Sequence, residues 1–141
     1  MTGQALPAYG PDVSRAGSLV LIIEDNLKNL KLIRDLLRVH GYRTVEAEDG
    51  PAGLELARVH RPDVIVMDIQ LPTLGGYEVA RRLKADAETR GIPVVGVTSF
   101  AMRGEEARAF EAGCDAYLSK PIDIHRFVRT VHEALQRRRS R

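Results

Sequence analysis

Glu24, Asp25 and Asp68 are three carboxylates, Thr98 is a hydroxyl with Ser99 beside it, and Lys120 is an ammonium. Each closes or follows a short apolar run. Three carboxylates brought together repel one another, and burial adds to that cost. A cation relieves it. All-oxygen ligation suits a hard ion such as Mg²⁺, which keeps some of its waters and is commonly completed by a phosphate oxygen. A lysine and a threonine beside it can then take the remaining oxygens of a phosphoryl group. Phosphoryl transfer asks mainly for positioning and charge neutralisation, and a carboxylate can accept the phosphate covalently. Singly, none of these residues is informative. An acidic pair often serves a helix N-terminus, an aspartate can cap a loop, a strand-end threonine can satisfy local backbone, and Lys120-Pro121 can be an ordinary turn. Their common place at strand ends is the signal.

The elements that must position them alternate. Leu19–Ile23 is a continuous apolar run, as in a strand buried on both faces. Asn26 can cap a helix that turns Leu27, Leu30, Ile33 and Leu37 inward, with Gly41 ending it. Arg43–Ala47 reads as a weaker strand, and Gly50-Pro51 opens a helix through about His60. Asp63–Asp68 is a strong strand, and Gly75-Gly76 leads into a helix with Val79 and Leu83 inward. Ile92–Val97 is a strand with Pro93 near its start, where a missing N–H is tolerated. Ala101–Ala112 reads as helix stopped by Gly113, and Ala116–Ser119 as the last strand. Asp123 can cap a final helix with Phe127, Val128, Val131 and Leu135 inward. Five buried strands alternating with amphipathic helices call for a parallel sheet covered on both faces. This is a doubly wound α/β domain, of flavodoxin-like or Rossmann strand order. In such sheets ligands sit beyond the carboxyl ends of the strands, where the order reverses. In the flavodoxin-like order the first and third strands are neighbours there, so the three carboxylates converge.

The 141 residues suit one domain, with 44% hydrophobic and 28% charged residues excluding wholesale disorder. No apolar run approaches the roughly 20 residues of a membrane span, and the start of the chain lacks the apolar core of a secretory signal. A net charge of +2, no Trp, four Tyr and three Phe argue against nucleic acid. One cysteine, Cys114, fits a reducing cytoplasm and reads as a small buried filler. His40, His60, His125 and His132 form no cluster along the helices and read as surface residues. Residues 1–17 read as a flexible extension, 18–136 as the folded domain, and 137–141 as a short basic tail.

The stretches LIIEDN, RPDVIVMDIQLPTLGGYEVARRLK, IPVVGVTSFAM and AGCDAYLSKPID resemble, in order and spacing, the receiver domain of two-component response regulators. The resemblance runs from about Leu19 to Leu135, nearest to the stand-alone, DivK-like type without an output domain. It implies the flavodoxin-like order 2-1-3-4-5. It also implies that Asp68 accepts a phosphoryl group from a histidine kinase or histidine phosphotransfer protein. Glu24, Asp25 and Asp68, with the backbone carbonyl of Gln70, would hold Mg²⁺. Thr98 is the implied switch hydroxyl, Lys120 the partner of a phosphoryl oxygen, and Tyr117 the aromatic that turns inward when Thr98 moves. Pro121 matches a proline usually preceded by a cis bond, and Pro72 and Gly76 match residues shaping the loop after the phosphorylated strand. Glu24 stands where Asp is commoner; its extra methylene favours a water-mediated contact with Mg²⁺. Gly75 stands where many members have Asp, and Gln70 and Phe100 occupy positions that tune the phosphorylated state's lifetime.

The expectation is therefore a signalling switch and not an enzyme. It would act through the surface of its fourth helix, fifth strand and fifth helix on a downstream protein, as a monomer or as a dimer once phosphorylated. A haloacid-dehalogenase-like phosphohydrolase is disfavoured, because Ile69-Gln70 follow Asp68 where that class has a second Asp two residues on. A phosphate-independent module would usually have lost a site residue, and none is lost. No G-x-G-x-x-G follows the first strand, against a Rossmann nucleotide binder.

Overall fold

The computed structural model describes residues 17–99 and 102–139. Ten elements alternate: β1 (Leu19–Ile23), α1 (Leu27–Val39), β2 (Arg43–Ala47), α2 (Gly50–His60), β3 (Val64–Asp68), α3 (Gly76–Ala85), β4 (Val94–Thr98), α4 (Glu105–Ala112), β5 (Ala116–Ser119) and α5 (Ile124–Arg139). The five strands form one parallel sheet of order β2-β1-β3-β4-β5, the flavodoxin-like order. Register pairs Ile23 with Met67, Asp68 with Val97, and Thr98 with Ser119. The carboxyl ends of β1, β3, β4 and β5 therefore lie side by side along one edge.

Alternate side chains of each strand feed two cores. Val20, Ile22, Val64, Val66, Val95 and Val97 pack with Leu30, Ile33 and Leu37 of α1 and Phe127, Val128 and Val131 of α5. Leu21, Ile23, Ile65, Met67 and Val94 pack on the other face with Ala57, Val79, Leu83, Ala109 and Ala112 of α2, α3 and α4. Burying a side chain of this size stabilises by about 1.5–3 kcal/mol, so both faces hold the sheet rigid beneath its carboxyl edge.

Two helix starts carry the expected caps: Asn26 Oδ1 accepts from Asn29 N–H, and Asp123 Oδ1 accepts from Arg126 N–H. Asp49, not among the expected caps, serves α2 in the same way. Leu27, in contrast, is 64% exposed, because in the first turn it stands beyond the end of β1 and off the inward stripe. The fourth helix begins at Glu105 and not Ala101. Gly104 sits just before it at φ +87°, outside helical conformation, and Glu105 and Glu106 fill its first turn, where acidic side chains favour the dipole. Phe100 and Ala101 lie outside the described residues, as do residues 1–16, Ser140 and Arg141. β4 runs two residues later at its start and one later at its end than expected, with Pro93 immediately before it. β3 starts at Val64, Asp63 instead using its carboxylate to accept the Leu19 N–H. α5 continues to Arg139, so Arg137–Arg139 of the basic tail are helical, and Arg138 reaches the Pro62 carbonyl at 2.8 Å.

Gly76 opens α3 hard against the sheet edge. A Cβ there would lie 2.6 Å from Ile69 Cα and 2.8 Å from the Asp68 carbonyl oxygen. Both are backbone atoms and cannot step aside without moving Asp68. Gly76→Ala should cost about 1–3 kcal/mol, the range for overpacking, in a chemical melt. Gly75→Ala, whose Cβ would meet nothing within 4 Å, should stay within about 0.5 kcal/mol of wild type.

Candidate functional site

The chain leaves β1 through Glu24, whose carboxylate folds back so that Oε2 accepts the Asn26 N–H at 3.1 Å. Asn26 thus caps α1 and anchors Glu24, which is 1% exposed. β3 ends in Asp68, 6% exposed, with Oδ1 accepting the Gln70 N–H at 2.9 Å. Asp25 is exposed at the rim. Carboxylate oxygens of Glu24, Asp25 and Asp68 all lie within 4.8 Å of one another. Lys120 follows β5, and its Nζ stands 3.2 Å from Glu24 Oε1 and 3.4 Å from Asp68 Oδ2. Thr98, fully buried, ends β4 beside Asp68. The peptide bond between Lys120 and Pro121 is cis, as expected.

Burial and the neighbouring charge of Asp68 raise the Glu24 pKa above its ordinary value, against the opposing pull of the Asn26 N–H and Lys120. Three carboxylates against one ammonium leave two negative charges in a mostly buried pocket. A hard divalent cation with oxygen ligands fits that surplus in charge and in donor type. Among the described residues no histidine or cysteine joins this cluster. Cys114 lies before β5, packed near Gly96, and burial pushes its thiol up to about 11, so it remains an unreactive filler. His60 and His125 are exposed, while His40 and His132 are half-buried, and the His40 ring approaches the Leu36 carbonyl at 2.9 Å.

Two contacts were not legible in the sequence. The Gln70 side chain reaches across to β4, its Nε2 donating to Thr98 Oγ1 at 2.6 Å. Tyr117 turns inward, with its hydroxyl buried and making no hydrogen bond of good geometry. Burial raises its pKa, and the adjacent Thr98 opposes the rise. Behind it, the Tyr77 hydroxyl of α3 donates to the Glu105 carboxylate at the start of α4. Arg108 lies over the Tyr77 ring at 4.7 Å and 3.6 Å from Glu105. The Glu105–Arg108 spacing suits a helical pair, but nothing in sequence points Tyr77 toward it. Tyr77→Phe should cost about 1 kcal/mol and speed amide exchange in the first turn of α4, leaving β1 and β3 protected.

Residues 20–132 match the response regulator receiver domain. The chain belongs to the response regulator receiver family. It is 53% identical over 116 residues to the polar-differentiation response regulator DivK of Brucella anthropi, covering 82% of this chain and 94% of that one. DivK of Brucella ovis is 52% identical over the same length. A receiver domain of a Pseudomonas aeruginosa sensor histidine kinase, solved with magnesium in its active-site cleft, superposes with a TM-score of 0.80 at 33% identity. That match covers 86% of this chain and 99% of the other. The receiver domain of yeast Ssk1, solved with the histidine phosphotransfer protein Ypd1, superposes at 0.77 with 26% identity, covering 84% and 88% of the two chains. The receiver chain is thus a DivK-like response regulator of two-component signalling. None of the receiver's described helices is long and apolar enough to cross a membrane.

Proposed function

We propose that this receiver is a Mg²⁺-dependent phosphoacceptor that switches a protein-binding surface. The observation that carries the reading is the convergence of Glu24, Asp25 and Asp68 within 4.8 Å, with Lys120 Nζ on two of them. An Asp68 carboxylate oxygen attacks the phosphorus of a phosphohistidine on a kinase or phosphotransfer protein. The N–P bond breaks as the O–P bond forms, and the freed imidazole takes up a proton. Asp25, Asp68, Glu24 through a water, and the Gln70 carbonyl would hold Mg²⁺, which supplies neutralisation of the site and of the phosphoryl oxygens. Lys120 pairs with one phosphoryl oxygen, and Thr98 donates its hydroxyl to another. Tyr117 already has its hydroxyl buried beside Thr98, so the engaged Thr98 would hold it there and fix the α4–β5–α5 face for a downstream protein. Phe110 and Ile124, 46% and 50% exposed, give that face apolar anchors.

Residues 18–136 carry this activity as a cytoplasmic protein, with 137–141 as its basic tail. The magnesium-bound relative and the Ypd1–Ssk1 pair support the metal and the donor class. Incubation with acetyl phosphate and Mg²⁺ should give an acid-stable, base-labile adduct that a chelator prevents. Absence of an adduct with either acetyl phosphate or a phosphorylated kinase domain would sink the reading. Beryllofluoride should also change the face, and size-exclusion mobility then tells whether the loaded form is a dimer.

A further inference from the structure

Gln70 is tied at three points. Its backbone N–H donates to Asp68 Oδ1 at 2.9 Å. Its side-chain Nε2 donates to Thr98 Oγ1 at 2.6 Å, and its Oε1 accepts the Ser99 N–H at 2.9 Å. One planar amide therefore uses both ends on consecutive residues at the end of β4, 28 and 29 positions along the chain. The same residue's backbone contacts the carboxylate of Asp68. We propose that Gln70 is a positioning residue: its amide latches the Thr98 hydroxyl in the resting state, and its backbone N–H passes a change at Asp68 to that latch. The trigger rests on the phosphoacceptor reading, whereas the latch itself does not.

The chemistry of the trigger is local. Forming the acyl phosphate on Asp68 removes the carboxylate's own negative charge and weakens it as an acceptor for the Gln70 N–H. The start of the β3–α3 loop loses that anchor. Gln70 Nε2 donates to a lone pair of the Thr98 hydroxyl, so the latch sets where that hydroxyl sits and not whether its O–H can donate. A phosphoryl oxygen on Asp68 would accept from that O–H and draw Thr98 toward Asp68. The resting latch and the loaded site thus compete for the position of one hydroxyl, and cutting the latch should favour the loaded state.

The test uses the full chain with Gln70→Met, which keeps side-chain length and removes both amide bonds. Without metal, the Ser99 amide should exchange at least tenfold faster, and the Thr98 methyl should show averaged rotamers by NMR. Affinity for beryllofluoride in the presence of Mg²⁺ should tighten about three- to tenfold, the effect of losing one hydrogen bond made only at rest. That gain should vanish in a Thr98→Val background, which a merely structural role would not produce. Gln70→Glu keeps the acceptor for Ser99 and loses the donor to Thr98, so Ser99 should stay protected while the Thr98 O–H turns to donate to the new carboxylate. Unchanged Ser99 exchange and Thr98 rotamers in Gln70→Met would overturn the latch. A wild-type protein that takes no beryllofluoride, with Thr98 freed in the variant, would overturn the proposed function and support the latch.

Discussion

Asp68→Asn should fold as well as wild type and take up no phosphoryl group from either acetyl phosphate or a phosphorylated donor. The amide nitrogen is no nucleophile at neutral pH, so the reaction loses its acceptor. The amide oxygen still accepts the Gln70 N–H, and Lys120 still has Glu24 at 3.2 Å. The substitution also removes a charge that raises the Glu24 pKa. Metal-free stability should therefore equal that of wild type or exceed it by up to about 1 kcal/mol. Intact-mass measurement after loading and a denaturant melt check the two halves. Equal labelling of wild type and Asp68→Asn would put the acceptor elsewhere.

Glu24→Gln should raise the stability of the metal-free protein and weaken its hold on Mg²⁺. The raised pKa of Glu24 states that, at neutral pH, burial and Asp68 outweigh the help of Asn26 and Lys120. A neutral amide of the same shape escapes that penalty and keeps an acceptor for the Asn26 N–H. Folded Glu24 holds its proton to a higher pH than the unfolded chain, whose value is near 4.5. Its contribution is thus fully present below 4.5 and is lost as pH rises through the raised folded value. The stability gap between Glu24→Gln and wild type should be small at the acid end and widen toward neutral pH, at about 4 °C of Tm per kcal/mol for a domain of this size. Mg²⁺ affinity should fall about 10- to 100-fold, the usual loss when an outer-shell partner is removed. Melts in chelator across pH and a Mg²⁺ titration read both effects. A metal-free variant less stable than wild type at neutral pH would show that Glu24 is held as a favourable ion.

The site was legible because its residues stand at places the chain marks plainly. Val64–Met67 is too apolar to be anything but a buried strand, so Asp68 must emerge at its end. The same holds for Glu24 after Leu19–Ile23. Capping by Asn26 and Asp123 was readable from residue type alone. The start of α4 was not, because Met102-Arg103-Gly104 carry no apolar period, and only the positive φ of Gly104 shows where the helix begins. The side-chain reach of Gln70 and the Tyr77–Glu105 contact were hidden for another reason. One joins a loop to the end of β4 and the other joins two helices, each across 28 residues, and both depend on side-chain rotamers, not on periodicity.

Lys120 has a consequence for how the protein is made. It answers a carboxylate 96 residues before it, from the last strand and the outer edge of the sheet. On the ribosome, Glu24, Asp25 and Asp68 emerge long before it. A growing chain that has assembled β1, β3 and β4 holds its acidic pocket without a counter-charge. The pocket therefore gains its counter-charge only once residue 120 has emerged, and even then two negative charges remain for a divalent cation.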